Sequence, residues 1–254
     1  MRKINFYEEL RIIKNFIKDC VKKEGFEQVI LGLSGGLDSS VTATLCKLAL
    51  GENNVRGLIM PYKTSLADSE KHAVMLAKQL GISYEVIDVT PIVDRFIAVV
   101  DAAMDNKRIG NLIARVRMAI LYDLSAKHNC LVAGTTNKSE FYTGYCTQYG
   151  DNACAFEPIM HLYKTEVLGL ASLIEIPIEI IVKPASADLW EGQTDEKEMG
   201  ITYSNLDRIL WYLCDEKLDK KNILERGVTP EMYEHVVSMI NKSEFKRRLP
   251  TSIL

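Results

Sequence analysis

The 254-residue sequence lacks any apolar run long enough to cross a membrane. A membrane-spanning helix needs about 18 consecutive apolar residues, and no run in this sequence approaches that length. At the N-terminus, charged residues interrupt the segment MRKINFYEELRIIKNFIKDC every two or three positions. This spacing predicts an amphipathic helix rather than a secretory signal peptide, and we expect no membrane partner.

The sequence also lacks an excess of basic residues and any CxxC pair. Its net charge of −3 provides no large cationic field for a nucleic acid backbone, so no nucleic acid partner is predicted. Scattered cysteines in a chain of this size are typical of reduced thiols in a cytoplasmic protein. The six are Cys20, Cys46, Cys130, Cys146, Cys154 and Cys214.

Short apolar runs alternate with longer amphipathic stretches through the first half of the chain. The pattern predicts strands at residues 28–33, 55–60, 83–89 and 130–133, and helices at 38–50, 68–80, 91–103 and 111–127. Such β-α alternation indicates an α/β fold with a doubly wound parallel sheet and helices on both faces. Helical patterns at residues 164–174, 203–213, 217–224 and 230–240 predict a helical C-terminal region. Because neither a repeat nor a low-complexity linker is visible, we expect one domain spanning residues 1–254.

Two polar segments show no clear periodicity, at residues 137–161 and 182–200. Loops of this length in compact domains are often functional lids or disordered links. The adjacent Asp195 and Glu196 in the second segment are interpreted as a solvated charge pair.

The segment SGGLDSS, residues 34–40, follows the first predicted strand directly. Open α/β sheets bind ligands beyond the carboxyl ends of their strands, and glycines allow the backbone to approach an anion closely. The helix that follows directs free N–H groups at that anion. The alternative is an ordinary glycine-rich turn in which Asp38 caps the helix.

Two common phosphate-binding motifs are absent: neither GxxxxGK[ST] nor GxGxxG follows the strand. A loop without lysine, which holds the β,γ-phosphates through N–H groups and hydroxyls, suits pyrophosphate as a leaving group. Asp38 is expected to hold Mg²⁺ against those phosphates, because this ion prefers hard oxygen ligands.

The loop resembles those of the PP-loop ATP pyrophosphatases, which have an adenine-nucleotide α-hydrolase-like fold. Five further segments follow in order: GNLIARVRMAILYDLSA (110–126), LVAGTTNKSEFYTGY (131–145), LYKTEVLGLA (162–171), KPASADLWEGQTDEKEMGITY (183–203) and FKRRLP (245–250). Together they resemble the ammonia-dependent NAD synthetase family over nearly the whole chain. The resemblance implies ATP-dependent amidation of nicotinic acid adenine dinucleotide (deamido-NAD) by ammonia. An acyl-adenylate would form, and NAD, AMP and pyrophosphate would be released by a cytoplasmic homodimer.

The resemblance also implies roles for individual residues. The ATP phosphate loop would comprise Gly32, Leu33, Ser34, Gly35, Gly36, Leu37, Asp38 and Ser39, with further ATP contacts from Thr135, Lys164 and Ser186. Mg²⁺ would be held by Asp38 and Glu140, and deamido-NAD would be contacted by Arg115, Phe245 and Lys246.

Asp151 is our candidate for the carboxylate that binds ammonium and accepts its proton. Segment 182–200 is predicted to close over the adenylate, which water would hydrolyse.

The sequence departs from many relatives at two positions. Gln148 and Ala155 stand where those relatives have lysine and aspartate that contact the dinucleotide, so no role is assigned to either. Two alternatives stay open: another adenylating PP-loop enzyme, such as one resembling GMP synthetase or a tRNA-modifying enzyme, and a non-catalytic nucleotide sensor. Retained Asp38, Glu140 and Lys164 argue against the sensor.

Overall fold

Four short parallel strands form the centre of the structure, a computed structural model that describes residues 2–190, 192–250 and Ser252. The strands are β1 (Gln28–Gly32), β2 (Val55–Ile59), β3 (Ser83–Val86) and β4 (Cys130–Val132), in the spatial order β3-β2-β1-β4. Val29 of β1 pairs with Val55 on one side and with Leu131 on the other. The predicted parallel sheet is therefore confirmed.

Helices surround this sheet and continue to the C-terminal end of the chain. They are α1 (Phe6–Lys23), α2 (Leu37–Leu50), α3 (Ala67–Leu80), α4 (Thr90–Val100), α5 (Asn106–His128), α6 (Lys138–Thr143), α7 (Lys164–Leu173), α8 (Ile178–Ile181), α9 (Asp195–Met199), α10 (Tyr203–Leu210), α11 (Lys220–Glu225) and α12 (Pro230–Ser243). A π-helical turn covers Trp211–Asp215, and 3₁₀ turns cover Glu52–Asn54 and Glu244–Arg247.

Both faces of the central strand β1 are buried, and its consecutive side chains enter different cores. Val29 and Leu31 pack with α1, α2, α3 and α7, whereas Ile30 packs with α4 and α5. A strand covered on both faces needs apolar residues at every position rather than at alternate ones. This requirement explains the uninterrupted run that marks β1 in the sequence.

A third apolar cluster joins α10, α11 and α12 to the buried Tyr163 that precedes α7. The predicted helical C-terminal region is therefore present and packs beside the sheet layers. Among the residues that the structure describes, no helix is long and apolar enough to cross a membrane.

Helix boundaries differ from the sequence expectation where capping side chains decide them. The long helix α5 begins at Asn106 instead of residue 111, because the Asp105 side chain accepts a hydrogen bond from the Arg108 N–H at 2.8 Å. Segments 137–161 and 182–200 contain the short helices α6 and α9, which are too short to show a period. A capping box between Asn137 and Glu140 defines the start of α6.

Candidate active site

A cavity of about 970 Å³ opens at the carboxyl ends of the strands. Its walls come from the loops after β1, β2 and β4, from α5, and from segment 182–200. This is the edge at which parallel α/β sheets bind ligands. The cavity lies at the upper end of the sizes found for small-molecule and cofactor sites.

The phosphate loop connects β1 to α2 in a conformation that requires glycine. Gly35 has φ +72°, and a Cβ atom there would lie 2.0 Å from the carbonyl oxygen of Ser69. The hydroxyls of Ser34 and Ser39 are 3.0 Å apart, and the Ser34 hydroxyl accepts a hydrogen bond from the Gly36 N–H at 3.2 Å. These contacts hold the loop in place at the N-terminal end of α2.

Asp38 does not cap α2, contrary to the capping role that the alternative interpretation gave it. The N-cap of α2 is Gly36, and no side chain caps this helix end. One carboxylate oxygen of Asp38 accepts a hydrogen bond from the Asn137 amide at 3.2 Å, and the other pairs with the Lys164 ammonium. The free N–H groups at the start of α2 are left for an anion.

Asp38 and Glu140 lie near each other although 102 positions separate them in the sequence. Burial raises the pKa of Glu140 well above its ordinary value, and the Asp38 charge raises it further. Glu140 also closes the α6 capping box, since its carboxylate accepts a hydrogen bond from the Asn137 N–H at 3.1 Å. A carboxyl group in these surroundings favours either a proton or a nearby cation.

The carboxylate oxygens of Asp38 and Glu140 suit a Mg²⁺ ion. This ion is commonly held by one or two carboxylates together with substrate phosphates, and Asp38 and Glu140 supply two. Within the described ranges, no group of three or more His, Cys, Asp or Glu side chains forms a ready metal site. The remaining ligands would therefore come from the substrate and from water.

Lys164 is buried at the first position of α7, where the helix dipole disfavours a cation. Burial alone would lower its pKa, but Asp38, Glu140 and Asp195 outweigh that effect and raise it. The lysine is therefore charged and belongs to an acidic cluster. The direct ion pair between Lys164 and Asp38 is a contact that the sequence did not predict.

Asp195 is not the solvated charge expected from the sequence. It is 4% exposed, and its carboxylate accepts hydrogen bonds from the Tyr203 hydroxyl at 3.0 Å and the Tyr145 hydroxyl at 3.2 Å. Burial raises its pKa, while the Lys164 charge acts in the opposite direction. Because α9 is short and turns this residue inward, sequence patterning gave no sign of the burial.

Asp207 on α10 is a second buried carboxylate that the sequence analysis missed. It is fully buried, accepts a hydrogen bond from the Ser139 hydroxyl at 2.5 Å, and accepts another from the Thr165 N–H at 2.9 Å. The same Ser139 hydroxyl accepts the Lys164 N–H at 3.0 Å. Asp207 thus fixes the starts of α6 and α7, which carry Glu140 and Lys164.

The residues expected to contact the dinucleotide lie on one side of the cavity. Arg115 donates from Nε and Nη2 to the Gln148 carbonyl oxygen, both at 3.3 Å. The Lys246 ammonium donates to the carbonyl oxygens of Gly144 at 2.7 Å and Cys146 at 2.6 Å, and the neighbouring Phe245 is exposed. These side chains therefore line one wall together with the altered loop.

Most of the other sequence-predicted residues also line the cavity. They are Gly32, Leu33, Ser34, Gly36, Leu37, Ser39, Thr135, Asp151 and Ser186, and Gln148 joins them. Gly35 is instead packed behind the loop against Ser69, and Ala155 is an exposed residue outside the lining. The cavity therefore brings together the expected site residues other than Gly35.

Asp151 is exposed to the cavity, and its carboxylate accepts a hydrogen bond from the Thr147 N–H at 2.7 Å. Although solvent reaches the residue, the protein packed around its carboxylate raises the pKa through desolvation. A carboxylate with a raised pKa is the better proton acceptor.

Arg117 is a cavity cation to which the sequence analysis gave no role. Its Nε donates to the Met60 carbonyl oxygen at 2.9 Å, which places the guanidinium at the end of β2. Burial lowers its pKa, against the opposing charges of Asp188 and Asp151. Its position two residues after Arg115 on α5 is the signal that the sequence offers for it.

Glu157 lies behind the loop after β4, pressed against Gly134. It accepts a hydrogen bond from the Thr136 N–H at 3.0 Å, and a Cβ atom on Gly134 would lie 2.3 Å from its carboxyl carbon. Burial raises the pKa of Glu157 from 4.5 to about 7. The folded protein therefore holds this proton more tightly than the unfolded chain does.

We predict that Glu157→Gln changes the pH dependence of stability. The protonated carboxyl stabilises the fold fully below pH 4.5, and this contribution is lost as pH rises through about 7. Relative to the native chain, the variant should gain about 3 kcal/mol in free energy of unfolding between acid and mildly alkaline pH. Urea unfolding across that range measures the gain, and a difference independent of pH would contradict the assignment.

A parallel sheet of this order, with a glycine-rich loop and an acidic cluster at its carboxyl edge, defines a nucleotide-binding α/β protein of the PP-loop class. The sequence model of the NAD synthase family matches residues 9–250. The chain belongs to the NAD synthase family.

Individual relatives agree with this assignment. The chain is 46% identical to the NH(3)-dependent NAD(+) synthetase of Chlorobaculum tepidum over 239 residues, which cover 94% of this chain and 86% of that protein. The NH3-dependent NAD synthetase structure from Campylobacter jejuni has a TM-score of 0.84 at 34% identity, covering 99% of this chain and all of that one. The NMN synthetase structure from Francisella tularensis has a TM-score of 0.89 at 32% identity, with 99% of both chains covered.

Proposed function

We propose that this chain amidates deamido-NAD with ammonia, consuming ATP and releasing NAD, AMP and pyrophosphate. The observation that carries the proposal is the acidic cluster of Asp38, Glu140 and Lys164 beside a lysine-free phosphate loop. This arrangement can bind a metal-complexed triphosphate while leaving the α-phosphate open to attack. Relatives at 44–46% identity carry the corresponding name.

The first step forms an acyl-adenylate. A carboxylate oxygen of the nicotinate group attacks the α-phosphorus, and the bond between that phosphorus and the α,β-bridging oxygen breaks so that pyrophosphate leaves. Donors of the Ser34–Ser39 loop and the start of α2 would hold the leaving phosphates. Mg²⁺ held by Asp38 and Glu140 would supply positive charge against the phosphate oxygens.

The second step transfers nitrogen to the activated carboxyl carbon. Ammonium has no free lone pair, so a base must remove one proton before attack. Asp151 faces the cavity and has a raised pKa, which suits this role. Ammonia then attacks the acyl carbon, AMP leaves with the oxygen that joined it to the carbonyl, and an amide remains.

Product analysis tests the proposal. Purified protein is incubated with deamido-NAD, ATP, Mg²⁺ and ammonium, and NAD, AMP and pyrophosphate are quantified. Equal amounts of the three products are expected, and omission of Mg²⁺ should abolish all of them. ADP and inorganic phosphate as the nucleotide products would contradict adenylation.

A mononucleotide substrate is the second candidate. The Francisella tularensis relative is named an NMN synthetase, and this chain has Gln148 and Ala155 where many relatives hold the dinucleotide. The same assay with nicotinic acid mononucleotide separates the two candidates. A higher kcat/KM for deamido-NAD supports the first, and a higher kcat/KM for the mononucleotide supports the second.

The assembly is proposed to be a cytoplasmic homodimer in which residues 1–254 act as one domain. Helix α4 presents an exposed apolar stripe of Ile92, Phe96, Val99 and Val100. Apolar patches of this kind often mark protein interfaces. A second copy of the chain is the occupant that the family resemblance implies.

We predict that Val99→Glu dissociates this dimer, because a charge would be buried in the apolar contact. Light scattering during size-exclusion chromatography should give a dimer mass for the native chain and a monomer mass for the variant. Tyr7→Glu, at an exposed aromatic residue of α1, serves as the control and should stay dimeric. A monomeric native chain, or a dimeric Val99→Glu variant, would contradict the prediction.

A further inference from the structure

Lys183 has no place in the scheme above, although it lines the same cavity. We infer that the Lys183 ammonium binds the β,γ-phosphates of ATP and the pyrophosphate released from them. The inference rests on the proposed function and adds a binding residue to it. It starts from the charges around the two lysines that line this end of the cavity.

Lys164 is poorly suited to hold the phosphates alone. Its ammonium pairs with Asp38 and is surrounded by the further charges of Glu140 and Asp195. The Lys164 charge is therefore already engaged by a carboxylate of the protein. A metal-bound triphosphate carries additional negative charge, which needs another positive group.

Lys183 offers a cation that no carboxylate neutralises directly. Its ammonium donates to the Ser69 hydroxyl at 2.7 Å, and no ion pair to it was found within the part of the chain that the structure describes. Asp188 and Asp68 act on it only at longer range, and desolvation lowers its pKa overall. Half-buried and turned into the cavity, this ammonium has donors left for an anion.

The position of Ser69 places Lys183 beside the phosphate loop. The carbonyl of Ser69 is the group that packs against Gly35, where a Cβ atom would lie 2.0 Å from it. The hydroxyl of the same residue receives the Lys183 ammonium. One serine thus joins the back of the loop to the lysine.

Segment 182–200 is anchored to the loop between β2 and α3 by two further contacts. The Asp188 carboxylate accepts the Leu66 N–H at 3.1 Å, and the Thr64 hydroxyl donates to the Leu189 carbonyl oxygen at 3.1 Å. Lys183 lies at the start of the anchored segment. The phosphate loop, which contains no lysine of its own, therefore receives one from a distant part of the chain.

Three variants and a control test the inference. Lys183→Met removes the charge but keeps an unbranched stem, Lys183→Arg keeps the charge, and Ser69→Ala removes only the hydroxyl. Lys197→Met is the control, because Lys197 is exposed on α9 and lies outside the cavity lining. Each protein is assayed for the KM of ATP, the KM of deamido-NAD and product inhibition by Mg²⁺-pyrophosphate.

For Lys183→Met we expect the KM of ATP and the inhibition constant of pyrophosphate to rise about 10- to 100-fold, as for loss of a charge-assisted hydrogen bond. The KM of deamido-NAD should stay within about twofold of the native value, because Lys183 does not contribute to the binding of that substrate. Lys183→Arg should recover most of the lost affinity. Ser69→Ala and Lys197→Met should retain pyrophosphate inhibition.

Two results would overturn the inference: unchanged pyrophosphate inhibition in Lys183→Met, or an equal loss in Ser69→Ala, which would make the lysine a tether. Calorimetric titration of Mg²⁺-pyrophosphate separates this inference from the proposed function. If the native chain binds pyrophosphate through Lys183 but forms no NAD, the inference stands and the proposed reaction fails. If NAD forms and titrations of native and Lys183→Met are identical, the reverse holds.

Discussion

Asp38→Asn is expected to lower the rate of AMP formation about 10²- to 10³-fold, the effect typical of removing one preorganised charge from a reacting phosphate. Asp38 belongs to the phosphate loop and accepts hydrogen bonds from both Asn137 and Lys164. An amide keeps the size of the side chain but cannot supply the negative charge that a Mg²⁺ ligand needs. The KM of ATP should rise and kcat should fall together.

Asp68→Asn is the matched control for this substitution. Asp68 lies in the first turn of α3, the helix that follows β2, just as Asp38 lies in the first turn of α2 after β1. It is exposed, pairs with Lys71 at 3.0 Å and does not line the cavity. Equal activity of the Asp38→Asn and native proteins would remove Asp38 from the proposed metal site.

Gly35→Ala should raise the KM of ATP by about a hundredfold or more, because small displacements at a reacting centre have effects of this size. The added Cβ would lie 2.0 Å from the Ser69 carbonyl oxygen. The residue also has φ +72°, a conformation that costs an L-residue about 1–2 kcal/mol. The loop must therefore move away from α3.

Gly25→Ala separates backbone strain from the clash. Gly25 has φ +78°, and a Cβ there would meet no atom within 4 Å. This variant should lose about 1 kcal/mol of stability and keep native kinetics. If Gly35→Ala behaved in the same way, the close packing of the phosphate loop on Ser69 would have no functional consequence.

The parallel sheet and the glycine-rich turn between β1 and α2 could be predicted because their signals are local. An uninterrupted apolar run marks β1, and SGGLDSS marks the turn that follows it. The loop residues are consecutive, so correct placement of one strand places all of them. Glu140 and Thr135 follow from the end of β4 for the same reason.

The hydrogen bonds and ion pairs that hold the site residues in place could not be predicted, because they join segments that are distant in the sequence. Asp207 reaches Ser139 across 68 positions, and Lys164 reaches Asp38 across 126. Asp195 looks like any surface acid in a charged pentapeptide, and only the position of α9 against Tyr145 and Tyr203 buries it. No local pattern encodes such pairings, whereas their chemistry becomes clear once the fold brings them together.

The formation of an acyl-adenylate is the central claim, and transfer of oxygen-18 tests it most directly. Deamido-NAD labelled in both oxygens of its nicotinate carboxylate is converted with unlabelled ATP and ammonium, and the products are analysed by mass spectrometry. The account predicts one labelled oxygen in AMP, the other in the amide of NAD, and none in pyrophosphate. Unlabelled AMP, or label in pyrophosphate or inorganic phosphate, would contradict attack of the carboxylate on the α-phosphorus.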